Sequence, residues 1–156
     1  MKTCTFFGNR DCGEEIRQEL LSVIENCIVS RNVTRFYVGH NGNFDKMAIS
    51  LLRQLKNKYP YIGYAVVLAY HPSLTKTVVY GENESIIPDG IEKVPLRYAI
   101  AHRNDWMLKN SECVVCCIQN KYGSAFKYVE KAARAGKEIF CVGESGVHIF
   151  KEDFSV

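Results

Sequence analysis

Two short loops hold the residues best suited to gripping an anion. Gly123-Ser124-Ala125 lies between an apolar run that ends near Ile118 and a helical stretch. Gly8-Asn9-Arg10-Asp11-Cys12-Gly13 follows the apolar run at the start of the chain. Small residues between a strand's carboxyl end and a helix's amino end let backbone N–H groups approach a phosphate, and the helix dipole favours its charge. Arg103 is the cation expected beside that phosphate, because its forked donors match phosphate oxygens; Arg10 is the second candidate. The structural alternatives are an ion pair of Arg103 with Asp105 or Glu112, and a surface role for Arg10. Asp45 stands at the start of a helix, placed either to accept ribose hydroxyls or to cap that helix through backbone N–H groups. Asn104 and Asn120 offer hydrogen bonds to a base or ribose. Gly39 and His40 follow a strand end and are expected along the same crevice. Tyr122, directly before Gly123, is the best placed of Tyr70, Tyr80 and Tyr122 to stack on a base.

The elements that must position these groups follow from hydrophobic period. Apolar runs at 3–7, 35–39, 62–70, 112–118 and 138–142 alternate with stretches of helical spacing, the pattern of a parallel α/β sheet. Ile16, Leu20, Leu21, Ile24, Cys27 and Ile28 form one helical stripe, and Phe44, Met47, Ala48, Leu51, Leu52, Leu55 and Tyr59 a second. A third helix is expected over 96–109 and a fourth over 125–135, closed by Gly136. The fold class is α/β: a Rossmann-like, doubly wound, mainly parallel five-stranded sheet of order 3-2-1-4-5, with helices on both faces and a long loop after strand 3. That loop, 71–95, is rich in turn residues and reads as a lid or specificity segment, or as a surface excursion, with a short strand possible at 77–80. In an open parallel sheet the ligand crevice lies where strand order reverses, outside the carboxyl ends. The reversal between the first and fourth strands sets both glycine loops on one crevice.

Composition bounds the rest. At 156 residues the chain is long enough for one domain, 1–156, with a core of its own. A formal charge of +3, with 20 Lys and Arg spread along the chain, disfavours a dedicated nucleic-acid or membrane binder. No apolar run has the length of a membrane span and the amino terminus carries no signal-peptide pattern, so a cytoplasmic location is expected. Seven cysteines fall mostly in strands. Cys113-Val114-Val115-Cys116 spaces two of them by three within a strand, where they point to opposite faces, so buried thiols are favoured over a metal site. Cys12 is the exception, expected to be exposed in the first loop. No metal and no cofactor are expected, and homo-oligomerisation is left open.

Four segments resemble the SLOG superfamily of Rossmann-like domains, which includes YpsA-like proteins and the Lonely Guy phosphoribohydrolases. They are residues 4–11, 36–45, 103–112 with its Arg103-Asn104 pair, and Gly123-Ser124-Ala125, together spanning about 3–143. The resemblance implies a nucleotide derivative held by the glycine loops, while members of the superfamily differ in activity: some hydrolyse N-glycosidic bonds, some sense nucleotides, some bind single-stranded DNA. Asn9 stands where the family commonly has His, Asn43 and Ser124 where Gly is typical. The first expectation is binding or sensing of a phosphate-bearing, nucleotide-derived small molecule, ADP-ribose-like or a mononucleotide. One alternative is an N-glycosidic hydrolase. It is weakened because the positions after Gly123-Ser124-Ala125 that would carry the family's Glu are Lys127 and Tyr128; Asp45 or Asp11 would then be the catalytic carboxylate. The other alternative is single-stranded nucleic-acid binding, which requires a basic, aromatic-lined groove.

Overall fold

The computed structural model describes residues 1–70 and 85–143. Six strands form one sheet in which every pairing is parallel: β1 (Lys2–Gly8), β2 (Val33–Val38), β3 (Gly63–Val67), β4 (Ser85–Ile86), β5 (Cys113–Cys117) and β6 (Glu138–Cys141), in the order β4-β3-β2-β1-β5-β6. Four helices connect them: α1 (Arg17–Ser30), α2 (Gly42–Lys58), α3 (Ala99–Lys109) and α4 (Ser124–Arg134). The expected order survives, with β4 added outside β3. Two residues long and without a hydrophobic period, β4 gives no signal of its own; it forms because β3 leaves an edge for Ser85 and Ile86 to pair with Val66 and Val67. The 77–80 strand and most of the segment after strand 3 lie outside the described residues.

Side-chain alternation divides the core into two layers. In β1, Phe6 faces α1 and α2, where it packs against Phe36 (ring centroids 6.0 Å apart) and Phe44 (6.4 Å). Its neighbour Phe7 faces α3 and α4 and stacks on Tyr128 at 5.3 Å. β5 repeats the pattern: Cys113, Val115 and Cys117 join the first layer, Val114 and Cys116 the second. All five β5 residues are buried, as expected of a strand covered on both faces. The cysteines there serve as small core residues, and all seven in the chain are free thiols. In α4 the buried stripe is Ala125, Tyr128, Val129 and Ala132, the i, i+3, i+4, i+7 spacing of one helix face. The helix closes as expected: Gly136 takes φ 74°, and the N–H groups of Gly136 and Lys137 return to the carbonyls of Ala133 and Ala132. Among the described residues no helix is long and apolar enough to cross a membrane.

Candidate functional site

With β1 and β5 side by side and the order reversing between them, the loops after both strands open on the carboxyl edge of the sheet. Asn9 ties them together. Its backbone N–H donates to the Cys117 carbonyl at 3.1 Å, and its side-chain Oδ1 accepts from the Gln119 N–H at 2.6 Å. Asn9, one of the three departures from the SLOG-like pattern, is thus a buried latch between the two loops. Beside it a small crevice of about 60 Å³, open to solvent, is lined by Gly8, Arg10, Asn41, Asp45, Arg103, Asn104, Ser124 and Ala125, with Phe6, Phe7, Ile100 and Met107 supplying its apolar wall.

Arg103 forms the floor and is only 2% exposed. Its Nε donates to Asn104 Oδ1 at 2.7 Å, Nη1 to the Val67 carbonyl at 3.3 Å, and Nη2 to Asn41 Oδ1 at 3.0 Å. Burial lowers its pKa from the ordinary value while the Asp45 carboxylate supports its charge. Asp45 Oδ2 in turn accepts the Asn41 N–H at 2.9 Å, so the carboxylate ties down the start of α2 from one turn inside the helix. Burial pushes Asp45 up to about 6 against the opposing pull of Arg103, the Asn41 N–H and Arg10. Burial, and then the Arg103 charge, push His40 down to about 4. His40 Nε2 accepts the Ala69 N–H at 3.3 Å, which supports the end of β3. The floor is therefore a set of mutually satisfied polar groups.

The glycines fill different roles. A Cβ on Gly8 would lie 2.3 Å from the Phe44 ring, and one on Gly39 would lie 2.8 Å from Arg103 Nη1 and 2.9 Å from Asp45 Oδ2. Both make room for core groups. Gly123 is different: it takes φ 88° at the start of α4, and a Cβ there would meet nothing within 4 Å. A helix amino end that opens on such a glycine is the kind of place that receives an anion.

Of the expected residues, Gly8, Arg10, Asp45, Arg103, Asn104, Ser124 and Ala125 line the crevice together. Asn9, Gly39 and His40 support it from behind. Asn120 accepts the Tyr122 N–H at 2.9 Å and shapes the loop, while Tyr122 projects outward, 83% exposed. Asp11 is exposed and outside the crevice lining. Cys12, expected at the surface, is fully buried with its Sγ on the Cys117 carbonyl at 3.4 Å, because the Asn9 latch folds the loop inward. Asn41 escaped the sequence reading as a crevice residue; its position directly before α2, an N-cap site that favours Asn, was the available signal.

Around the rim the side chains change character. Arg10, Lys46, Arg97, Lys121 and Lys127 are exposed, and each sits in a loop or in the opening turns of a helix at the carboxyl edge. Among the described residues, four of the seven exposed large hydrophobics lie at that edge too: Ile87, Leu96, Tyr98 and Tyr122. α3 and α4 run parallel, with Tyr128 Oη on the Ala101 carbonyl and Lys131 on Asp105. Extended toward the amino ends, that register sets Tyr98 level with the start of α4. The same edge also carries acidic residues: Asp11 follows Arg10 in the loop after β1, Glu14 and Glu15 lie on the approach to α1, Glu19 is in its first turn, and Asp89 and Glu92 precede α3.

No protein-family model and no curated protein matches the sequence. Solved structures do share the fold. DNA processing protein A (DprA) from Streptococcus pneumoniae superposes with a TM-score of 0.70 at 14% identity, over 98% of this chain and 57% of the other. DNA processing protein A from Helicobacter pylori, described for a unique single-stranded DNA binding mode, superposes with a TM-score of 0.62 at 15% identity, over 97% and 72%. The chain thus spans a little over half the length of the first. At these identities the likeness establishes a Rossmann-like α/β fold, consistent with the SLOG-like arrangement the motifs imply. It also corrects the functional expectation. The similar structures are DNA-processing proteins, one described by its binding of single-stranded DNA, and neither is described by a small nucleotide-derived ligand. The expectation that nucleic acid is a poor partner is corrected by the same likeness, since one of the similar structures is described by its binding of single-stranded DNA.

Proposed function

We propose that this chain binds single-stranded DNA along the carboxyl edge of its sheet and belongs with the DNA-binding members of the SLOG superfamily. The observation that carries the reading is the likeness, over nearly the whole chain, to two DNA processing proteins, one of them described for its single-stranded DNA binding. The local chemistry supports it. Single strands are held by cationic groups that follow the backbone and by aromatic faces on which bases stack. Here Arg10, Lys121 and Lys127 are exposed around the start of α4, the helix amino end at Gly123 and Ser124 that is suited to receive a phosphate. Tyr122 and Tyr98 offer exposed rings on the same side, and Arg97 lies 4.9 Å from the Tyr98 ring centroid, adding positive charge to that face. The satisfied floor of Arg103, Asp45, Asn41 and Asn104 holds the loops in place beneath the strand.

The test is titration of a fluorescent oligodeoxythymidylate, read by anisotropy, with Tyr122→Ala, Ser124→Glu and Tyr61→Ala. Loss of one stacked base is worth about 1–3 kcal/mol, so Tyr122→Ala is expected to weaken binding roughly 5- to 150-fold. Ser124→Glu puts a carboxylate at the proposed phosphate seat and should weaken binding at least as much. Tyr61, exposed at the amino edge, is the control and should leave affinity unchanged. Equal effects of Tyr122→Ala and Tyr61→Ala would remove the carboxyl edge from consideration.

A further inference from the structure

From the placement of two thiols on β5 and β6 we infer that Cys116 and Cys141 form a peroxide-responsive pair that closes to a reversible disulfide. The two are in-register partners on adjacent parallel strands and share the face covered by α4. Their sulfurs lie 3.7 Å apart, with the Cys116 thiol directed at Cys141 Sγ. Neighbouring strands run about 4.8 Å apart, inside the Cα separation a disulfide tolerates, so closure to about 2.05 Å asks for side-chain rotation and a small local adjustment.

Access singles this pair out. Of the seven thiols, six are buried and Cys141 alone is partly exposed. Cys4 and Cys113 are also in-register neighbours, but both are wholly buried and each directs its thiol at a backbone carbonyl. The Cys12 thiol is likewise held by the Cys117 carbonyl. The hydrogen bond from Cys116 also favours the thiolate at the less buried of the two residues, drawing the Cys141 pKa below its ordinary value.

The chemistry needs only hydrogen peroxide as oxidant. The Cys141 thiolate attacks one peroxide oxygen, the O–O bond breaks, and hydroxide leaves, giving a sulfenic acid on Cys141. The Cys116 sulfur then attacks that sulfenic sulfur; its S–H proton goes to the departing hydroxyl, and water leaves as the S–S bond forms. Two thiols and one peroxide thus become one disulfide and two waters. The partly exposed position of Cys141 keeps the bond within reach of a reducing thiol.

The experiment treats the full chain with a modest molar excess of hydrogen peroxide under native conditions, followed by thiol titration and peptide mass mapping without reductant. Two of the seven free thiols should be lost, the Cys116 and Cys141 peptides should be joined, and dithiothreitol should restore both. Cys116→Ser should leave a Cys141 sulfenic acid that dimedone traps; Cys141→Ser, at the less buried position, should leave all remaining thiols intact. Retention of all seven thiols, a link between other cysteines, or sulfinic acid on Cys141 of the unmodified sequence would each overturn the inference.

Discussion

Folding this chain moves a proton from one buried group to another, and single substitutions should expose it. Asp45 rises to about 6 in the fold and His40 falls to about 4, against unfolded values near 3.9 and about 6.5. Between roughly pH 4 and pH 6 the unfolded chain therefore holds His40 protonated and Asp45 ionised, and the folded chain holds the reverse. The signs oppose. Asp45, with a raised pKa, contributes stability that is complete below its unfolded value and fades as pH rises through about 6. His40, with a depressed pKa, contributes stability that is complete above its unfolded value and fades as pH falls through about 4. Each shift spans roughly two units, worth about 3 kcal/mol over its window at about 1.4 kcal/mol per pH unit, so the two nearly cancel in the parent sequence. Asp45→Asn removes one side of the balance. Its stability should rise, relative to the parent, by about 2 kcal/mol from about pH 4.5 to about pH 6. His40→Gln should fall by a similar amount over the same interval. The assay is urea unfolding of the three proteins at both pH values, followed by far-UV circular dichroism; comparison with the parent cancels every other titrating group. If both variants track the parent across the interval, Asp45 and His40 are not held in the protonation states that their burial around Arg103 dictates.

Other consequences follow from particular contacts. Gly39→Ala would press a methyl group against Arg103 and Asp45, both held by fixed partners, and should cost about 1–3 kcal/mol in denaturant unfolding. Asn9→Ala leaves the Gln119 N–H without its acceptor; a loss of about 1–3 kcal/mol is expected, read as a lower melting temperature. With Arg10, Lys121 and Lys127 as the phosphate contacts, the logarithm of the binding constant for single-stranded DNA should fall against the logarithm of salt with a slope of about −2.

Much of the fold was legible because apolar period reports layers directly: the stripes of α1 and α2 and the continuous runs of β1 and β5 are buried as the pattern requires. β4 was not, since its pairing comes from the edge of β3. At the site, the sequence named the crevice residues without their allegiances. Arg103 reads as a free phosphate ligand beside Asn104, but Asn41, 62 positions away, and the Val67 carbonyl occupy its donors. Glycines show in a sequence, and what fills the space beside them does not: Phe44 at Gly8, Arg103 at Gly39, nothing at Gly123. The rim was legible only in part: Arg10 and Tyr122 were named, while Arg97, Lys121 and Lys127 share no local pattern with them and meet at one edge only through the common direction of the strands.

The central claim is tested most directly by asking which nucleic acid the unaltered chain prefers. A fluorescent oligodeoxythymidylate is titrated with protein at low salt, then displaced with unlabelled single strand, with duplex of the same length, or with thymidine monophosphate. Saturable binding is predicted, displaced readily by the single strand, weakly by the duplex, whose bases cannot reach Tyr122 and Tyr98, and not by equimolar mononucleotide. No binding at low salt, or displacement by the mononucleotide as effective as by the strand, would contradict the account.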